Sequence, residues 1–250
     1  NNRQNASPPT SLTLPFPNHQ VACPYYNNRR GKIRGALRVL VGKGSPEEIH
    51  EEAESTAILQ KVNLKALDSI SLKKFLVDDN IGIDCSGLAF YILNAEMESK
   101  GKGSLKLSFP YSRGLLGSLR AKFRSIENTD VATLAHDKNS RVIEPRYVEP
   151  GDMITMQGGP DNKDRDHVLV VHEVDYKDDV VVSIGYTHTV AWPTDGEYGH
   201  GVRQGSIRIT HPEKSIVEQD WTEANMTGES NYTFTRAQKS KTELRRLIWL

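Results

Sequence analysis

The stretch Gly82-Ile83-Asp84-Cys85-Ser86-Gly87-Leu88 places a cysteine directly behind a helix cap. Asp84 has the short acceptor side chain that an N-cap needs, and a helical pattern starts straight after it. Leu88, Tyr91, Ile92 and Ala95 recur at i, i+3, i+4 and i+7, which predicts one buried stripe. Cys85 then falls in the first helical turn. There the macrodipole and unpaired backbone N–H groups favour a thiolate, the nucleophilic form of the sulfur. Gly87 would leave room for a substrate against the helix start. A buried structural cysteine explains the same residue equally well, because free cysteine is a common core residue. A partner base decides between the two.

Working outward on the N-terminal side, Gly42-Lys43-Gly44-Ser45 has the wrong order for a phosphate loop, which needs four residues between its glycines and then Lys-Ser/Thr. Local chemistry accounts for it instead. Ser45 caps a helix, Pro46 takes its first position, and Glu48 closes a capping box, so a helix is predicted from there to about Val62. A second helix is predicted over Ser69 to Val77. Residues 1–30, rich in Asn, Pro and Ser, show no periodicity and read as an extended arm.

On the C-terminal side, Lys100 to Gly103 is a polar break. Ser112 to Ser125 carries Arg113, Arg120, Lys122 and Arg124 and reads as a solvated helix face rather than an anion site. From Pro150 the pattern turns to strands, over Met153–Met156, Val168–Val174, Val180–Tyr186 and Ser206–Thr210. Helices first and a strand meander second is the α+β order.

Eight histidines make any single one uninformative, but His167 and His188 are placed by pattern. Two β-rich runs flank Tyr176-Lys177-Asp178-Asp179, which reads as a hairpin tip. A tip centred between Lys177 and Asp178 sets the two imidazoles directly opposite each other. Opposed Cβ atoms lie about 4.5–5.5 Å apart, so one ring can hold the other in its working tautomer. A one-residue slip would move one histidine to the other face.

The ordered set Asp84-Cys85-Ser86-Gly87, Pro150-Gly151-Asp152-Met153-Ile154 and His167-Val168 resembles the NlpC/P60 cysteine peptidases, over roughly Ile83 to Ile209. Gly199-His200-Gly201-Val202-Arg203 resembles the segment that follows the third residue in larger members. The resemblance implies a papain-like α+β core with N-terminal helices packed on an antiparallel β-sheet, and helical insertions. It implies Cys85 as nucleophile, His167 as base and His188 as the orienting residue, acting on an amide bond in a peptidoglycan stem peptide without a cofactor. It also implies that Asp84, Ser86 and Tyr25 or Tyr26 hold a free substrate amine, and it suggests an extracytoplasmic or cell-wall location. Two departures stand out. The span from Cys85 to His167 exceeds that of compact members, which makes residues 100 to about 148 an insertion. Pro-Tyr, usually just upstream of the cysteine, occurs only at Pro24-Tyr25-Tyr26. The expected organisation is an arm over 1–30 and one catalytic domain over 31–250, helical over 31–98 and β over 150–250.

Bulk composition excludes several classes. Lysine plus arginine equal aspartate plus glutamate at 32 each, so no overall basic excess points to nucleic acid. No run approaches the roughly 20 apolar residues of a membrane span. Cys23 and Cys85 could form one disulfide in an oxidising compartment or stay as two thiols in a reducing one. An acyl or amide transferase on the same fold is the rival enzyme reading, which an apolar acyl groove would favour. A non-catalytic wall-binding module is a third reading, and the intact Cys-His-His set weighs against it. A metal site from Asp161, Asp164, Asp166, His167 and His172 lacks the spacing of any zinc site, and no metal is expected.

Overall fold

Local capping starts each of the N-terminal helices where the residue types demand it. The structure, a computed structural model, describes residues 13–16, 19–26, 38–112, 114–158 and 166–250. Helix α1 spans Pro46–Gln60, with both hydrogen bonds of the Ser45–Glu48 capping box formed and Pro46 at its first position. Helix α2 spans Ser69–Asp78, and the Asp68 side chain accepts from the Ser71 N–H at 2.7 Å. Helix α3 runs Cys85–Ser99. Its buried face is Leu88, Ala89, Ile92, Leu93 and Met97, while Tyr91 and Ala95 are half-buried. The stripe is therefore rotated from the one predicted, because Ala89 and Leu93 extend it to the other side.

The chain divides into two compact units. One holds the described residues up to Leu88 together with Thr189–Arg203, and its helices enclose Ile49, Ala53, Leu72, Leu76, Ile81 and Ile83. The arm expected over 1–30 is here partly a folded element. Thr13–Phe16 (β1) and His19–Ala22 (β2) form an antiparallel hairpin, and Cys23 and Tyr26 behind it are buried. Tyr25 then bridges to Ile83 in parallel, with the Tyr26 N–H bonded to the Ile83 carbonyl at 3.0 Å and the Ile83 N–H to the Pro24 carbonyl at 3.0 Å. Gly82 permits this approach: a Cβ there would stand 2.5 Å from the Pro24 oxygen.

The other unit holds Ala89–His188 and Gln204–Leu250. The residues expected as an insertion supply helices α4 (Gly114–Phe123), α5 (Ser125–Asn128) and α6 (Val131–Leu134), then strand β3 (Ser140–Val142). Strands β4 (Met153–Gln157), β5 (His167–Lys177), β6 (Val180–Val190), β7 (Gly201–Arg208), β8 (Asp220–Glu223) and β9 (Met226–Thr227) follow. Helix α7 (Tyr232–Gln238) and strand β10 (Lys241–Leu247) complete the chain. The sheet is eight-stranded, in the order β3-β10-β4-β5-β6-β7-β8-β9, which makes the chain α+β. Its core includes Ile154, Met156, Leu169, Val171, Tyr186, Ile207, Trp221 and Leu244. Asp152 of the Pro-Gly-Asp motif is structural here. It accepts from the Glu149 N–H at 2.7 Å and pairs with Arg246 at 2.8 Å, tying the entry of β4 to β10.

The β5–β6 hairpin turns at Asp178-Asp179, flanked by the pair Lys177↔Val180. Both aspartates have positive φ, 51° and 63°, as a type I′ turn requires. The predicted tip was one residue earlier. A left-handed pair suits two aspartates better than lysine, because a short polar side chain tolerates that region. The shifted turn leaves Val170 opposite Thr187, two residues off the predicted alignment, because the irregularities between Val171 and Glu173 and between Asp175 and Tyr176 cancel. An even displacement preserves the face, since side chains alternate with period two.

Candidate functional site

Asp84 starts α3 as the sequence implied. Its Oδ1 accepts from the Gly87 N–H at 2.6 Å, which sets Cys85 at the first helical position, half-buried and free of any disulfide. The backbone that carries it is anchored from two sides, by the Tyr25–Ile83 bridge and by the Asp84 N–H bonded to the Gly42 carbonyl at 2.9 Å. Gly87 does not open space for a substrate. A Cβ there would stand 2.8 Å from the Gly42 oxygen, so glycine is what lets the Gly42 loop lie against the helix start.

Lys43, read in the sequence only as part of a rejected phosphate loop, is the residue that the loop delivers. Its buried ammonium donates to Asp84 Oδ1 at 2.8 Å and to Ser86 Oγ at 2.5 Å. Asp84 and Ser86, expected to bind a substrate amine, thus already hold an amine of the chain itself. Tyr26 donates its hydroxyl to the Leu40 carbonyl at 2.6 Å. Burial, together with the Asp84 charge, raises its phenol above the ordinary range despite a hydrogen bond with Asn80. Tyr25 lies edge-on to His200, with ring centroids 6.5 Å apart. Of the four residues named for amine binding, Tyr25 and Tyr26 meet Ile83 through their backbone, and Asp84 and Ser86 meet at Lys43. Cys23 is fully buried, and desolvation pushes its thiol up to about 12, with Lys73 acting in the opposite sense.

The other unit carries a relay of buried acid–base groups. His167 opens β5 and His188 lies near the end of β6. The displaced register makes them diagonal neighbours on one face, with His167 Nε2 and His188 Nδ1 2.7 Å apart. Behind them, His188 Nε2 meets Glu223 Oε2 of β8 at 3.1 Å, and the Tyr186 hydroxyl donates to the same oxygen at 2.8 Å. All three relay residues are about 1% exposed. Burial alone would raise the Glu223 carboxyl, but His188 and the hydrogen bonds from His188, Tyr186 and Thr233 outweigh it and hold the group below the usual glutamate range.

An ionised carboxylate only accepts, so Glu223 takes the N–H of His188 Nε2. Between them, His188 Nδ1 and His167 Nε2 share one hydrogen at 2.7 Å. Burial, then the charges of Arg236 and His188, hold His167 well below the ordinary histidine range, so it rests neutral. Glu223 was not among the residues picked out from the sequence. Its one local signal was the alternation that puts it on the same strand face as Trp221, and this does not distinguish a carboxylate with a role from an edge residue.

Asp161 and Asp164 of the metal reading lie outside the described residues. Among the described residues no group of three or more His, Cys, Asp or Glu side chains is arranged to hold a metal ion. Asp166 instead accepts from the Gly158 N–H at 2.9 Å. A cleft of about 740 Å³, lined by Arg141, Glu144, Arg146, Tyr147, Tyr176 and Arg246 among others, includes none of these site residues. No protein-family model, curated protein or solved structure matches the chain, so the NlpC/P60 resemblance rests on its motif residues.

Proposed function

We propose that this chain is a papain-like cysteine hydrolase of the NlpC/P60 kind that cleaves an amide bond in peptidoglycan stem peptides. The observation that carries the reading is the buried His167–His188–Glu223 relay, its members linked at 2.7 Å and 3.1 Å. Its outer member is a neutral imidazole backed, through His188, by an ionised carboxylate, as a general base for a thiol requires. In this mechanism Cys85 loses its proton to His167 Nδ1 and the thiolate attacks the scissile carbonyl. The imidazolium is stabilised through His188 by the Glu223 carboxylate, and His167 returns the proton to the leaving amine. A backbone N–H in the first turn of α3 receives the oxyanion, since early helical amides lack intrahelical acceptors. Water then resolves the thioester by the same proton path.

The Lys43 ammonium modifies what the resemblance implied about substrate. With Asp84 and Ser86 already engaged, recognition does not depend on a free substrate amine. Mass spectrometry of purified wall peptides, incubated with the wild-type protein, Cys85→Ala and His167→Ala, tests the whole reading. One new amide cleavage is expected with the wild type alone. Free and N-acetylated forms of the cleaved peptide are expected to turn over within about threefold of each other, because the roughly tenfold change per 1.4 kcal/mol of an extra ion pair is missing. Cleavage that persists in Cys85→Ala would refute the nucleophile.

A further inference from the structure

Helix α4 presents its apolar side to solvent. Leu116, Leu119 and Phe123 are 85%, 52% and 79% exposed, and their spacing of three and four puts them on one helical face. Ala121, on the opposite side, is the buried contact with the rest of the unit. Just ahead of the helix Tyr111 is 65% exposed, its ring edge-on to His136 at 5.6 Å. The segment was expected to be a solvated basic face, and the structure also leaves Leu116, Leu119 and Phe123 exposed on it. Large contiguous apolar exposure of this kind marks an interaction surface.

The charge around the helix says what the surface meets. Between Glu98 and Glu127 the chain carries seven lysines and arginines and no acidic residue, in a protein whose total charge is zero. Lys106 and Lys122 are exposed beside the apolar residues in this run, while Lys100 and Arg124 are held by Glu96 and Glu127. We infer that α4 and its flanks dock on an anionic lipid surface, with Leu116, Leu119 and Phe123 entering the headgroup boundary and the basic residues meeting lipid phosphates. An interfacial helix combines this kind of apolar face with surrounding lysine and arginine, and a polybasic segment is drawn to anionic headgroups. A second copy of the chain is a poorer occupant, because it would set two basic segments against each other. No helix of the described residues is long and apolar enough to cross a membrane, so the contact is peripheral.

Vesicle co-sedimentation of the full chain tests this directly, independently of any hydrolytic activity. Binding to mixed phosphatidylglycerol and phosphatidylcholine vesicles is expected to exceed binding to pure phosphatidylcholine by at least about tenfold, and to weaken as salt is raised. Leu116→Glu with Phe123→Glu is expected to abolish it, and Lys122→Glu to weaken it severalfold. All three positions are exposed, and far-UV circular dichroism checks that the variants keep their fold. Failure to bind anionic vesicles at low salt would overturn the proposal. So would binding that the double substitution leaves unchanged, or a concentration-dependent dimer that the same substitution dissolves while vesicles stay unbound.

Discussion

In the proposed mechanism Glu223 anchors the relay, although it is the member furthest from the reacting atoms. Changing it to glutamine keeps the volume but replaces an acceptor-only group with one that can donate, and the proton on His188 Nε2 is no longer imposed. Glu223→Gln is expected to lower kcat by on the order of 10²–10⁴ with little change in KM, because the loss falls on proton transfer rather than on substrate contact. Steady-state kinetics on the cleaved wall peptide checks this, and an effect confined to KM would place Glu223 outside the relay. The two cysteines are separated by their surroundings in the same way. Cys23 is buried and its thiol is pushed up to about 12, whereas Cys85 is half-buried at a helix start. Iodoacetamide at neutral pH is expected to label Cys85 at least about 100-fold faster, because the thiolate is the form that reacts. Peptide mapping of the alkylated protein measures the ratio, and equal labelling would remove Cys85 from the role of nucleophile.

The β5–β6 hairpin shows how an element delivers those residues to one face. Its two-residue turn forces positive φ on both Asp178 and Asp179, a region where glycine is comfortable and other residues are strained. Asp179→Gly is therefore expected to raise stability by about 0.5–1 kcal/mol, and Asp178→Ala with Asp179→Ala to lower it by about 1–2 kcal/mol. Urea denaturation of the three proteins checks both signs. The alternation along the strands made it legible in the sequence that His167 and His188 share a face. The exact pairing was not legible, because two compensating irregularities and a one-residue difference in the turn all lie within the same periodic pattern. The helix starts were legible in more detail. Ser45 and Asp84 cap as the sequence predicts, since a cap is satisfied by atoms three residues away.

For the molecule as a whole, the buried relay ties folding to pH. His167 is held well below its unfolded value of about 6.5, so the unfolded chain binds a proton there that the folded chain refuses. Its contribution is fully present above pH 6.5 and is lost as pH falls from there toward the depressed folded value. The loss is up to about 1.4 kcal/mol per pH unit for this one site. Denaturation midpoints are expected to fall between pH 7 and pH 5, and the slope is expected to flatten in His167→Gln. A variant with the wild-type slope would show that another group controls the transition.

What the sequence determined alone is local: the helix caps, the alternation that sets two histidines on one face, and the position of Cys85 behind Asp84. These rest on interactions within a turn or a strand, where spacing along the chain is spacing in space. Only the tertiary structure decided the partners. Glu223 reaches His188 across 35 positions and Lys43 reaches Asp84 across 41. Each is a charged residue in an unremarkable local pattern, and it gains its role because folding buries it against one complementary group. Burial of that kind depends on which segments meet, and no period in the sequence records it.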